Sequence, residues 1–141
     1  MSDDQNGAGN PEPPRTRYAV IRAERVEKDR DDAFLRLSSR DPIYAARWLA
    51  GLDHAIAELA DFPGPRSHAI DDFASNRFGI EVRRMLYHGP GTRRSTRTPY
   101  RVLFTIIEPA PGEDEGIVRV LRILHGASDP FGPEPNSEES A

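Results

Sequence analysis

The sequence contains no cysteine, which excludes disulfides, a thiolate nucleophile and zinc sites built from thiolates. It also has no apolar run near the roughly 20 residues that a membrane-spanning helix needs, so no membrane association is expected. The N-terminal stretch is acidic and rich in Gly, Pro and Asn, unlike a secretory signal. No glycine-rich phosphate loop, HExxH or EF-hand pattern occurs, so we expect neither a cofactor nor a metal ion. These absences predict a soluble, cytoplasmic protein.

Charge is distributed unevenly along the 141 residues, whose formal net charge is −4. Segments 1–16 and 129–141 combine acids with Pro, Gly, Ser and Asn and lack hydrophobic periodicity, which predicts two disordered tails. Residues 17–128 are then expected to form one domain. Its second half, Arg77–Ser128, holds nine arginines and five acids, a balance of 9 − 5 = +4. Such a surface can meet an acidic partner or a phosphate backbone, although a solvated arginine surface is the commoner case.

Hydrophobic periodicity predicts a strand and then two helices. The strand is Tyr18–Val26, where apolar and charged residues alternate, and Glu27–Ser39 follows as a short helix. The second helix begins with Asp41 as N-cap and a proline at its first position. One apolar stripe along it comprises Ala45, Leu49, Leu52, Ile56 and Leu59. Trp48 lies beside this stripe and is expected in the core, and Phe62-Pro63-Gly64-Pro65 is expected to end the helix.

Three strand-like runs complete the chain: Gly79–His88, Tyr100–Ile107 and Ile117–Leu124. Turn-type segments at Gly89–Thr98 and Glu108–Gly116 separate them, which is typical of an antiparallel meander. The full order is therefore β-α-α-β-β-β. It predicts an α+β domain in which a helical hairpin packs on one face of an antiparallel sheet.

Four motifs occur in order at plausible spacing: Leu59-Ala60-Asp61-Phe62-Pro63, Glu81–Tyr87 (EVRRMLY), Tyr100–Phe104 (YRVLF) and Val118–Ala127 (VRVLRILHGA). Together they resemble the ParE/RelE superfamily of toxins from type II toxin–antitoxin systems, in particular the ParE-like plasmid stabilisation branch. The resemblance covers roughly residues 17–129. The chain departs from the family pattern at Ser128, where an arginine often follows His-Gly-Ala, and in the longer loop Gly89–Thr98.

The resemblance implies growth inhibition by a toxin that a cognate antitoxin neutralises in a hetero-oligomer. Members of the ParE branch inhibit DNA gyrase and need a surface that binds gyrase rather than a hydrolytic site. Such antitoxins are acidic, partly disordered segments that fold over the toxin, which suits an arginine-rich sheet. An inactive relic that binds a partner without toxicity is a further alternative, favoured mildly by Ser128, the longer loop and the tails.

Members of the RelE branch instead cut mRNA on the ribosome, so a ribonuclease is the other alternative. Cleavage by the 2′-hydroxyl needs a general base, a general acid and a cation at the phosphate. The candidate catalytic residues are Arg101, which matches the family's third-strand arginine, with His125 and His88 at two strand ends. No tyrosine follows Tyr100, and this absence counts against the ribonuclease. Each candidate also has an ordinary interpretation: Arg101 as an outward strand position and His125 as a polar strand end.

The arginines of the second half are the candidates for contact with a partner or a nucleic acid. Those in the loop have no aromatic residue between them, which is more typical of a solvated loop than of a nucleic-acid site. The candidate binding residues are Arg83, Arg84, Arg93, Arg94, Arg97, Arg119 and Arg122.

Overall fold

In a computed structural model, residues 16–61, 64–90 and 99–126 are described, and within these ranges the chain forms four strands and three α-helices. The strands are β1 (Arg17–Arg22), β2 (Arg83–Tyr87), β3 (Tyr100–Ile107) and β4 (Glu115–His125). The helices are α1 (Glu24–Ser38), α2 (Pro42–Ala57) and α3 (Asp72–Phe78), with 3-10 turns at Glu58–Ala60 and Pro65–Ser67. The predicted α+β fold and its β-α-α-β-β-β order are confirmed, and α3 is an additional short helix.

The four strands form one mixed sheet in the spatial order β1-β4-β3-β2. Strand β2 pairs antiparallel with β3, and β3 pairs antiparallel with β4, so the predicted meander is confirmed. Strand β1 lies along β4 in parallel, with Arg17 opposite Glu115 and Arg22 opposite Val120. The sheet is therefore mixed rather than wholly antiparallel. Periodicity could not predict this direction, because α1 and α2 carry the chain away from β1 and allow it to pair either way.

Helices α1 and α2 cover one side of the sheet, which we call the hairpin face. The predicted stripe of α2 is buried there, apart from Leu49, which is only partly covered. Trp48 is 2% exposed, which confirms its expected place in the core. The strands contribute the other half of this core through Met85, Tyr87, Tyr100, Val102, Phe104, Val118, Val120 and Ile123. Burial of such large side chains stabilises by about 1.5–3 kcal/mol each relative to exposure.

The opposite side of the sheet, which we call the short-helix face, has a much smaller core. Ala74 of α3 packs with Val82, Leu103 and Leu124. A register shift between Leu103 and Phe104 marks a bulge in the pairing of β3 with β4. Because side chains alternate along a strand, Arg101 and Leu103 point to this face while Tyr100 and Val102 point to the hairpin face.

Two predicted strand boundaries were wrong, each by several residues. Strand β1 ends at Arg22 rather than Val26, because α1 already begins at Glu24 and fully buries Val26 on its inner side. Strand β2 begins at Arg83 rather than Gly79, since Gly79 ends α3 in the left-handed region at φ 74°. The start of α2 is confirmed: the Asp41 carboxylate accepts a hydrogen bond of 3.1 Å from the Tyr44 amide. Phe62 and Pro63 lie outside the described residues.

An ion-pair network joins β1, α1 and α2 on the hairpin side. Arg30 donates from Nε and Nη2 to the Asp53 carboxylate at 2.9 and 2.7 Å, and Arg22 donates to the same group at 3.2 Å. These hydrogen bonds, chiefly those of Arg30, hold the pKa of Asp53 below its usual value. The bidentate geometry fixes the two helices relative to each other and to the first strand.

Candidate functional site

A pocket of about 500 Å³ opens at one end of the hairpin face, and we call it the arginine–tyrosine pocket. The end of α1 and the turn after it contribute Arg36, Leu37 and Arg40, and α2 contributes Tyr44 and Trp48. The ends of β2, β3 and β4 complete the lining with Tyr87, His88, Tyr100 and His125. The α1–α2 turn and three strand ends meet here because the two helices lie across the strands.

The floor of the pocket is a set of aromatic rings in edge-to-face contact. The Trp48 ring lies 4.9 Å from that of Tyr100 and 5.7 Å from that of Tyr87, at interplanar angles of 64° and 61°. The Tyr100 ring contacts that of His125 at 5.1 Å and 88°. Edge-to-face pairs at these distances are favourable beyond the area they bury, so the floor is expected to be rigid.

Tyr87 is held in its neutral form inside this floor. Its hydroxyl donates a 2.8 Å hydrogen bond to the Trp48 carbonyl, and burial raises its pKa to about 12. The close approach depends on Gly51, where an added Cβ would lie 2.3 Å from the Tyr87 hydroxyl oxygen. Tyr87 therefore acts as a structural donor rather than as an acid or base at neutral pH.

The polar groups of the pocket are basic. Arg36 donates from Nη2 to the Tyr100 hydroxyl at 2.8 Å, and its guanidinium carbon lies 5.8 Å from the Tyr100 ring centre. Burial, and then the nearby Arg36 charge, lower the pKa of His125 below its ordinary value. Arg40 and His88 add two further basic side chains, and no carboxylate is among the described lining residues. The pocket is therefore suited to an anion.

The three candidate catalytic residues do not meet at one place. His88 and His125 share the arginine–tyrosine pocket, whereas Arg101 lies on the short-helix face. There the Arg101 Nη1 is 3.6 Å from the carboxylate of Asp71, a residue that is only 5% exposed. The same carboxylate caps α3 through a 2.9 Å hydrogen bond from the Ala74 amide. The sheet separates Arg101 from the two histidines.

Three of the candidate binding arginines are engaged within the fold. Arg83 donates to the main-chain oxygens of Arg66 and His68 at 3.2 and 2.6 Å, and Arg84 donates to that of Ile70 at 3.0 Å. Arg122 donates twice to Asp29, at 2.7 and 3.2 Å. Arg119, in contrast, is exposed and makes no ion pair with another described residue. The loop candidates Arg93, Arg94 and Arg97 lie outside the described residues.

The Asp29 carboxylate accepts a hydrogen bond from a main-chain amide of β4, a contact that the sequence did not predict. It is 8% exposed and accepts a 2.9 Å hydrogen bond from the Ile123 amide as well as the two from Arg122. Strand β1 ends opposite Val120, so the Ile123 amide lies beyond the last β1 partner. The linear pattern contains no signal for this contact, since Asp29 lies in a polar stretch of α1.

The pocket arginines Arg36 and Arg40 were also missed. They lie four residues apart in the chain, Arg36 in the last turn of α1 and Arg40 in the turn after it. That spacing alone is common on solvated helices. Only the packing of α1 against the strands brings them to Tyr100 and His125.

The described residues contain neither a metal-binding cluster nor a membrane span. Within them, no three His, Asp or Glu side chains are grouped so that they could hold a metal ion. In the same ranges no helix is both long and apolar enough to cross a bilayer.

Comparison with known proteins identifies the family. The family model described as the ParE toxin of the type II toxin–antitoxin system, parDE, matches residues 20–130. This match spans all three helices, strands β2 to β4 and the second half of β1, and it includes the arginine–tyrosine pocket. A comparison with curated proteins found no match. The chain belongs to the ParE toxin family of type II toxin–antitoxin systems.

Proposed function

We propose that this ParE-family toxin inhibits DNA gyrase and that a cognate antitoxin neutralises it. The observation that carries the choice of target is the separation of Arg101 from His88 and His125 by the sheet. A ribonuclease needs a base, an acid and a cation at a single phosphate, and these three residues cannot supply them together. Gyrase inhibition requires only a binding surface, so it is compatible with this geometry.

The short-helix face supports an antitoxin-binding role. Five large apolar side chains on or beside α3 and β2 are each 40–50% exposed: Ile70, Phe73, Phe78, Ile80 and Leu86. β2 is the last strand of the described sheet, and the main chain of residues 69–71 already pairs with residues 82–84, which leaves residues 85–87 for pairing with an extended partner segment. Arg84, Arg101 and Arg119 place positive charge on the same face. This combination favours a partner segment that carries both apolar and acidic residues.

The target is tested by inducing the chain in bacteria without antitoxin and pulse-labelling DNA and protein synthesis. We expect DNA synthesis to stop first, and the purified chain to inhibit supercoiling by gyrase. Arrest of translation first, relieved by Arg101→Ala and by His125→Ala, would instead establish the ribonuclease alternative. Unchanged growth and unchanged synthesis of both polymers would favour a relic that only binds a partner.

The antitoxin surface is tested by co-purification with the product of the neighbouring small reading frame. Leu86→Glu, at a position that is 48% exposed, should weaken capture because it places a charge on the short-helix face. Ile43→Glu is the matched control, since Ile43 is 76% exposed but belongs to α2. Equal capture of both variants would contradict the assignment of this face to the antitoxin.

A further inference from the structure

The positive charge of the arginine–tyrosine pocket is not compensated by a carboxylate within the described residues. Arg36 is bonded to the neutral hydroxyl of Tyr100, and neither Arg36 nor Arg40 forms an ion pair with a described carboxylate. Two nearby carboxylates are committed elsewhere, because Asp41 caps α2 and Asp32 pairs with Lys28. The two guanidinium groups line the same pocket and together form a favourable site for a phosphate or a carboxylate.

The rest of the lining is suited to a flat ring. The exposed lining is mainly apolar, and the aromatic floor of Trp48, Tyr87 and Tyr100 is fixed by ring contacts. Tyr44 and the two histidines also line the pocket, and their rings are suited to stacking on a flat ring. A volume of about 500 Å³ lies in the range of ordinary small-ligand sites and is large enough for a ring and an attached phosphate.

We propose that the arginine–tyrosine pocket is a binding site for a small aromatic phosphate of mononucleotide size, with the phosphate at Arg36 and Arg40 and the ring between Tyr44 and the aromatic floor. This site is separate from the short-helix face. Its occupation therefore does not depend on whether the short-helix face binds an antitoxin.

Binding is tested by calorimetric titration of the full-length chain with adenosine monophosphate at neutral pH. Adenosine and inorganic phosphate are titrated separately, since each carries only half of the proposed recognition. We expect adenosine monophosphate to bind at least about tenfold more tightly than either fragment. No measurable binding of the nucleotide, or phosphate binding of equal strength, would overturn the proposal.

The location is tested with one pair of matched arginine substitutions. Arg40→Gln removes a pocket charge at an exposed position in the turn after α1. We expect about tenfold weaker binding of adenosine monophosphate and unchanged thermal stability. Arg47→Gln removes an exposed charge from α2 outside the pocket and should leave the affinity unchanged. Equal weakening by both variants would show attraction by net charge alone and would contradict a defined site.

Titration of His125 by NMR gives a readout that is independent of affinity. Arg36 from α1 and Tyr100 from β3 face this imidazole, and His88 just after β2 and Tyr44 from α2 share its pocket. In the free chain, burial and Arg36 hold the pKa of His125 low. A bound phosphate offsets the Arg36 charge, so the pKa of His125 should rise when adenosine monophosphate is added. An unchanged pKa under saturating nucleotide would place the ligand elsewhere.

Discussion

The two faces of the sheet differ in how many apolar side chains they bury. The hairpin face buries a large apolar core and four aromatic or imidazole rings in mutual contact. The short-helix face has a small core, a buried aspartate beside two arginines, and several half-exposed apolar residues. The hairpin face therefore contributes most of the stability, whereas the short-helix face retains exposed apolar surface for a partner.

Each face has one buried aspartate, and their geometries differ. Asp29 on the hairpin side receives two close hydrogen bonds from Arg122 and one from the Ile123 amide. Asp71 on the other side caps α3 but lies 3.6 Å from Arg101 and 3.9 Å from Arg84, beyond good hydrogen-bond distance. The first carboxylate is therefore more deeply integrated into the fold than the second.

Removal of the hairpin-side carboxylate should have the largest effect. Asp29→Ala leaves the Arg122 guanidinium and the Ile123 amide without their acceptor, so we expect the free energy of unfolding to fall by about 3 kcal/mol. The control Asp32→Ala removes an exposed carboxylate whose ion-pair partner among the described residues is Lys28, and it should cost less than about 0.5 kcal/mol. Urea denaturation measures both. Similar losses would show that Asp29 contributes little to the hairpin face.

An intermediate effect is expected where α2 approaches the aromatic floor. Gly51→Ala places a methyl group against the Tyr87 hydroxyl and should destabilise by about 2 kcal/mol. In a Tyr87→Phe background the nearest atom is the ring carbon at 3.4 Å, so the same substitution should be neutral or stabilise by up to about 1 kcal/mol. A double-mutant cycle by thermal unfolding checks this change of sign. Equal costs in both backgrounds would refute the proposed contact.

Among the three principal substitutions, Asp29→Ala, Gly51→Ala and Asp71→Ala, the one on the short-helix face should have the smallest effect. Asp71→Ala removes the α3 cap and the carboxylate beside Arg101, and we expect a loss of about 1.5 kcal/mol. Asp41→Ala removes the exposed cap of α2 and should cost about 1 kcal/mol. Denaturant midpoints of the two variants give the comparison. A loss for Asp71→Ala at least as large as that for Asp29→Ala would break the contrast between the two faces.

The sequence predicted well those features that depend on neighbouring residues. Strand Tyr100–Ile107 was predicted with the bounds observed, and the α2 cap at Asp41 was also correct. The short helix α3 was missed because seven residues show no hydrophobic period, and its cap at Asp71 was not recognised. The boundaries at Val26 and Gly79 failed because tertiary burial and a left-handed residue outweighed local alternation.

The candidate site was predicted only in part. The positions of His88 and His125 at strand ends were apparent, and both line the pocket. The opposite orientation of Arg101 follows from strand alternation, but its significance required knowing which face the helices cover. Arg36 and Arg40 could not be singled out, because arginines four residues apart are common on solvated surfaces.

The sequence by itself determined the order of the elements, the apolar stripe of α2 and the family, because each depends on local periodicity and on motifs that are contiguous in the chain. Tertiary structure alone decided that β1 pairs in parallel with β4, that Asp29 covers the edge of β4, and that a basic aromatic pocket forms between α1, α2 and three strand ends. These features join residues that are far apart in the chain. Their geometry is set by which faces can be buried together, and local sequence does not encode that choice.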